Sequence, residues 1–450
     1  MSNVTEPVSP SEGGVSVLRG ISYGFGQFTI SIFFQVTALI LLPFMTNTLA
    51  IPAAIAGAAL LVPKLSAVLM DTAFGVMAER LPMSWRKRRP FLIAGGCLTA
   101  LSFILLFRPP DWTDPLLLCA YIFVGFFLAN AALSAMTVSY LSLAFDVAEE
   151  SRQRTVLMSW RVALHMSGVL IGGLAPALVG LFGDGRVGYA WMGVTVSAIC
   201  ICGVLINYLS AARTPVQAQR VDYARLADLK AVFARPNSFR KLVCVYGLQY
   251  FSNGIQYAAH AYMAIFIVGG DLEFLSTLVV IMTLSSLVVQ PVWIRIADRI
   301  GKHATYTIAA GSLGIVFLCF ALLGRGDREL AYGISVLQGI FAGGGALMAW
   351  SLFLDTIETY GREKGIDRPE MLSGIWSALE KASFAIGVFI FGIILQSMGL
   401  IPSTNLNVMQ PDSAILGIRI GVGILPCVGM VASAFLIYVW LRQTKPVAPL

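Results

Sequence analysis

The chain has 450 residues, 57% of them hydrophobic and 12% charged, with a mean hydropathy of +0.79. A soluble protein of this length needs a charged surface that such a composition does not supply, and continuous apolar runs of about 20 residues fit membrane-spanning helices rather than the alternating pattern of a β-barrel. The formal net charge of +7 sits in short segments between the runs, so it speaks for membrane topology and against nucleic acid.

Residues 1–17 are polar, lack a secretory signal pattern and read as a cytoplasmic tail. Window length then predicts twelve spans: 18–43, 51–77, 91–108, 116–145, 155–182, 187–211, 239–268, 272–296, 303–323, 330–357, 371–398 and 414–441. The first six make one half, 18–211, and the last six another, 239–441. A polar linker, 212–238, joins them; within it 221–233 suits either a short amphipathic surface helix or a plain connection. Residues 442–450 form a second tail. The expected fold is therefore an all-α integral membrane protein.

Lys and Arg alternate strictly between the two sets of loops. One set holds Arg80, Arg86, Lys87, Arg88 and Arg89, then Arg152 and Arg154, a cluster from Arg213 to Lys241, Arg299 and Lys302, and Arg362, Lys364 and Arg368. The other holds little beyond Arg108, Arg186, Arg325 and Arg328. The positive-inside rule then places both termini in the cytoplasm, in a bacterial-type inner membrane. The loops after the second and eighth spans resemble each other: Glu79-Arg80 and Asp298-Arg299 each precede a basic turn. Such a repeat fits two parallel six-span halves around a midplane site, with the charged turns acting as gate latches or as topology anchors.

Ionisable groups at bilayer depth cost several kcal/mol unless paired or hydrated, so each is a candidate site. They are Lys64, Asp71, Arg161, Glu380 and Lys381, with Asp355 nearer a helix end. Lys64 and Asp71 are two turns apart on one helical face. Asp71 needs a nearby cation, from Lys381 or Arg161. Arg161 follows Trp160, so only one of the two faces a cavity; His165 and His260 read as structural, donating to backbone carbonyls. The seven cysteines show no metal-ligand spacing, and Gly343-Gly344-Gly345 lies inside a span rather than in a phosphate loop. With no nucleotide motif and no catalytic triad, the chain is not expected to be an enzyme, and transport would be driven by an ion gradient.

The sequence resembles the major facilitator superfamily and, within it, the melibiose-permease-like glycoside–pentoside–hexuronide cation symporters. The resemblance rests on Ser22-Tyr23-Gly24-Phe25-Gly26, on Lys64…Asp71…Gly75 closing in Arg88-Arg89-Pro90, on Arg154…Arg161, and on Asp355 followed by Gly374…Lys381. It implies the major facilitator fold, alternating access and cation coupling. The family's second span reads Lys-x-x-Asp-x-x-x-Asp-Pro; here the first acidic position is Ala67, the second Asp71, the proline position Thr72 and the preceding polar position Met70. With Ser134 as the helix-four hydroxyl, that set is a poor Na⁺ cage, so the expectation is H⁺ rather than Na⁺, carried by Asp71 with Lys381, or uncoupled facilitation. Positions that hold sugar-binding carboxylates and tryptophans in the family's galactoside carriers fall on Ser31, Thr137, Leu141 and Ala346. Loss of acids with retention of Arg161 and Lys381 points to an anionic or more apolar solute, in a cavity lined by Arg161, Lys381, Thr137, Ser31 and Tyr140. Glu79, Arg80, Asp298 and Arg299 would gate it. The expected partners are a small-molecule substrate and the bilayer, with no cofactor beyond the coupling ion, and a monomer. The alternatives are a lipid or lysolipid carrier, with Leu141, Ala346 and Phe34 as a greasy wall, and a non-transporting membrane scaffold.

Overall fold

The computed structural model describes residues 17–80, 89–147, 151–183, 185–212, 238–364, 369–402 and 409–441. The basic hairpin at 81–88, nearly all of the expected linker and the tails 1–16 and 442–450 lie outside the described residues. Among those described, every regular element is a helix. The first six are α1 (Val17–Pro43), α2 (Ala53–Arg80), α3 (Arg89–Phe107), α4 (Pro115–Val147), α5 (Ser151–Gly173, continued by Ala175–Leu181) and α6 (Gly185–Ala212). The next six are α7 (Ser238–Tyr262), α8 (Leu272–Val288, then Gln290–Ile300), α9 (Lys302–Ala321), α10 (Arg328–Lys364), α11 (Pro369–Ser397) and α12 (Asp412–Arg419, a π turn over Ile420–Ile424, then Leu425–Leu441).

Among the described residues, ten helices are long and apolar enough to cross a membrane, and α8 makes an eleventh if its two pieces, bent by 48°, count as one span. The twelfth expected span is α7. It has 25 residues and runs on into a five-residue π turn, so length is sufficient. Its apolar character is diluted by Gln249, Ser252, Gln256 and His260, all buried inside the bundle rather than facing lipid.

The packing repeats with a shift of six. In the first set α1 lies on α5 and α6, α3 on α4 and α6, and α2 on α4; in the second α7 lies on α11 and α12, α9 on α10 and α12, and α8 on α10. The π turns that close α1 at Phe44–Thr48 and α7 at Met263–Ile267 follow the shift, whereas the one in α12 has no counterpart in α6. The most extensive packing is between α1 and α5. A Cβ at Gly168 would stand 2.6 Å from the Phe28 carbonyl oxygen, and one at Gly172 would stand 2.8 Å from Gln35 Cβ. Only glycine lets the two backbones meet there.

The halves join where α1 lies on α7 and at two seams that are related by the shift, α2 against α11 and α5 against α8. The first begins where Ala54 N–H donates to Gln396 Oε1 (3.0 Å) and continues down to Asp71 and Lys381. The second is made near the α1–α2 loop, where Gly173 meets Val279 and Ala177 N–H donates to Ser276 Oγ (2.8 Å). At the same end the hydroxyls of Thr46, just past α1, and Tyr262 on α7 lie 2.6 Å apart. We call this the far end, and the end where α1 begins the terminal end. One apolar core crosses both halves at the far end, through Leu41, Phe44, Met45, Ala261, Tyr262 and Met263. Toward the terminal end it splits into one core around Tyr23, Met136 and Tyr140 and another around Tyr246, Phe353 and Trp376. The bundle is closed at the far end.

Candidate functional site

The α2 residues Lys64, Ala67 and Asp71 recur at three- and four-residue spacing, so one face of that helix turns inward. They line a cavity with Phe33, Phe34 and Thr37 of α1, Asn130, Leu133, Ser134 and Thr137 of α4, and Lys381 of α11. The wall thus draws on both halves, at the seam between α2 and α11.

Lys381 Nζ donates to Asp71 Oδ2 at 2.6 Å, and each side chain keeps about a third of its exposure, 30% and 29%. The other oxygen, Asp71 Oδ1, is buried with no hydrogen-bond partner among the described residues. The pairing expected for Asp71 is present, and Lys381 supplies it rather than Arg161. Ser134 Oγ donates to the Ala67 carbonyl at 3.4 Å. The Lys64 side chain is buried, and its ammonium stands 4.7 Å from the Phe34 ring centre and 5.0 Å from that of Phe384 on α11. No carboxylate lies within ion-pair distance of it among the described residues.

A second polar group sits between α1 and α5. Arg161 Nε donates to Gln27 Oε1 at 3.0 Å, and the guanidinium stands 5.9 Å from the Tyr140 ring centre. Trp160 packs on Gly20 of α1, so Arg161 is the member of the pair that turns to the polar group. His165 Nδ1 lies 2.6 Å from Ser31 Oγ and 3.4 Å from Gln27 Nε2, so the expected bond to a backbone carbonyl is corrected. His260 keeps the expected bond, to the Gln256 backbone, and also lies 3.2 Å from Gln256 Nε2.

Arg161, Ser31 and Tyr140, expected in the cavity wall, do not line it. Ser31 Oγ donates to the Gln27 carbonyl at 2.7 Å and faces His165. Tyr140 is fully buried and stacks on Tyr23 with ring centres 4.8 Å apart. Glu380 precedes Lys381 on α11 but turns toward α7, where the Tyr246 hydroxyl donates to its Oε2 at 3.2 Å. Of the greasy-wall residues, Phe34 lines the cavity, Ala346 is exposed elsewhere, and the Leu141 side chain lies outside the described residues.

Of the four gate candidates, the side chains of Glu79 and Arg80 lie outside the described residues. Asp298 and Arg299 are exposed and have no ion-pair partner among them. Nearby, Lys302 Nζ reaches both oxygens of Asp355, at 2.9 and 2.6 Å, pinning α9 to α10 at the terminal end. No group of three His, Cys, Asp or Glu among the described residues could hold a metal ion.

Sequence reasoning missed Gln27, Thr37 and Asn130. Gln27, Ser31 and Gln35 repeat every four residues in an apolar helix, a polar row that marks the face turned to α5.

The model of a family described as MFS/sugar transport protein matches residues 22–441. An uncharacterized symporter of Bacillus subtilis, YjmB, is 25% identical over 440 residues, covering 95% of this chain and 92% of its own. The glucuronide carrier protein homolog of Escherichia coli is 24% identical over 426 residues, covering 93% and 91%. Among solved structures, a bacterial homolog to the human lysosomal transporter Spinster superposes with a TM-score of 0.67 at 15% identity, covering 96% of this chain and 98% of that one. The nucleoside transporter NupG gives 0.65 at 14%, covering 96% and 100%.

Proposed function

The chain belongs to the MFS/sugar transport protein family, and from that premise we propose that it is a symporter for a small anionic, hydroxyl-bearing solute of the sugar-acid type, coupled to H⁺ rather than Na⁺. It is a multi-pass membrane transporter and not an enzyme. The charge balance of the cavity carries the finer reading: two ammonium groups, Lys64 and Lys381, face a single carboxylate, Asp71, which Lys381 already holds. The surplus cation suits a solute that brings its own negative charge, while Thr37, Asn130 and Thr137 offer partners to hydroxyls. The likeness to a glucuronide carrier homolog supports the same solute class.

Two features favour H⁺. A Na⁺ ion seeks several oxygens, by analogy with other hard cations. Here one carboxylate is available, its partner acid is replaced by Ala67, and Lys381 stands where the ion would have to sit. Loop charges put the terminal end in the cytoplasm, in which case this is the cytoplasm-facing state of an alternating-access cycle. Arg161 and Gln27 form a second polar station within the first half, and the charged turns at the terminal end would latch the opposite state.

The reading is tested by uptake into vesicles with imposed pH or Na⁺ gradients, comparing labelled glucuronate with methyl glucoside. Accumulation of the acid with the pH gradient supports it. Accumulation of the uncharged glycoside alone, or dependence on Na⁺, overturns it.

A further inference from the structure

We propose that Lys64 is both the acceptor for the solute's anionic group and the residue that carries the coupled proton: it holds the anion as an ammonium and resets as an amine. This rests on the anionic-solute reading above.

The argument starts from what surrounds Lys64. It stands against the rings of Phe34 on α1 and Phe384 on α11 and shares the cavity wall with Thr37 of α1, Asn130 and Ser134 of α4, Lys381 of α11 and, two turns along its own helix, Asp71. Of these only Asp71 and Lys381 are charged, and they neutralise each other at 2.6 Å. Glu380, the other acid of α11, is turned to Tyr246 on α7. Lys64 is therefore a buried cation whose described neighbours are two aromatic faces, one from each half. Ring faces repay part of the cost of a buried ammonium but do not neutralise it. The remaining cost has two remedies, an anion beside the nitrogen or loss of a proton from it. Lysine can use either, whereas a guanidinium stays charged.

The two remedies make a transport cycle. With the site open to one side, the amine takes a proton from water and the resulting ammonium pairs with the solute's anionic group. The loaded site is neutral overall. On the other side the solute leaves, the ammonium returns its proton to water, and the empty site is again neutral. One H⁺ and one anion cross together, and the Asp71–Lys381 pair keeps its charges throughout. The assignment differs from a cycle in which Asp71 titrates, because Asp71 already holds a permanent partner. Phe34 and Phe384 come from opposite halves, so both halves build the pocket around Lys64.

The test uses the full-length protein in liposomes with labelled D-glucuronate as the probe. Net uptake driven by a pH gradient is compared with counterflow into vesicles preloaded with unlabelled glucuronate. Wild type is expected to do both, with one proton per solute. Lys64→Arg is expected to lose net uptake by roughly tenfold or more while retaining measurable counterflow, since an arginine binds the anion but cannot release the proton. Lys64→Gln is expected to lose both. Net uptake by Lys64→Arg at the wild-type level, or uptake of the acid by Lys64→Gln, overturns the proposal. If Lys64→Arg does neither, the Asp71→Asn/Lys381→Gln double variant decides. One proton per solute at whatever rate remains supports Lys64, and loss of proton linkage refutes it. If wild type moves the uncharged glycoside and not the acid, the anionic-solute reading itself has failed, and this proposal falls with it.

Discussion

Separating Asp71 from Lys381 gives the most quantitative check on the site. Two unit charges 2.6 Å apart attract by about 6 kcal/mol at an effective dielectric of about 20, and by about 1.6 kcal/mol in water. The side chains are 29% and 30% exposed, between the surface pairs worth about 0–1 kcal/mol and the buried pairs that cost about 3–5 kcal/mol to break. Allowing for desolvation, the coupling should be about 2–3 kcal/mol. The singles should also be unequal. Asp71→Asn leaves the Lys381 ammonium facing a cavity with no acid, whereas Lys381→Met leaves Asp71 with Lys64 two turns along the same helix, which can take up a proton to pair with it. Asp71→Asn should thus be the more destabilising, and the double variant should be more stable than Asp71→Asn alone. Reversible unfolding in mixed micelles, read as a double-mutant cycle, measures this. Additivity of the two singles to within about 0.5 kcal/mol would refute the reasoning, because it would mean that the two charges do not sense each other.

Tyr262→Phe removes the hydroxyl shared with Thr46 across the halves; a loss of about 1 kcal/mol should raise the far-end-open population roughly fivefold. A cysteine replacing Ser276, in a cysteine-free background, should then react several-fold faster with an impermeant maleimide. Gly168→Leu should abolish folding, since even a Cβ would press on the Phe28 carbonyl from 2.6 Å. Detergent size-exclusion should show aggregate for that variant, while Ser167→Ala, at the exposed neighbouring position, should leave the profile unchanged. Breaking the exposed Lys302–Asp355 pair with Lys302→Gln should shift stability by less than about 1 kcal/mol, and a larger loss in the unfolding titration would give that pair a latch role.

Much of this architecture was legible because a bilayer imposes one rule on every span: about 20 apolar residues, helical, with charges in the loops. The rule failed for α7. Its Gln249, Ser252 and Gln256 are buried within the bundle, Gln249 against Tyr306 of α9 and Ser252 against α12, so hydropathy alone understates it, and length was the safer guide. The same physics made Asp71 and Lys381 readable as partners, because unpaired charge at that depth is costly. Neutral polar groups carry no such demand. Nothing in the sequence told Ser31 to bond His165 rather than face the cavity, since a hydroxyl is satisfied by either. Nor did the spacing reveal that Tyr140 would bury against Tyr23, because an aromatic ring fills a core as readily as it lines a cavity. The Lys64 environment depends on Phe384, which belongs to the other half of the chain, and only the tertiary fold brings that ring to it.

The unequal seams have a mechanical consequence. The α2–α11 seam is bonded from Ala54 and Gln396 down to Asp71 and Lys381, whereas the bonds that join α5 to α8 gather near Ala177 and Ser276. A body hinged along one edge and clasped at a corner of the other opens like a book. Points beside the spine hardly move, while points at the fore-edge sweep the widest arc. Asp71 and Lys381 sit beside the spine, so their charges can stay in register while the pages part. A solute from the terminal end would then slip in past α5 and α8, and the residues that choose it need not be those that bear the motion.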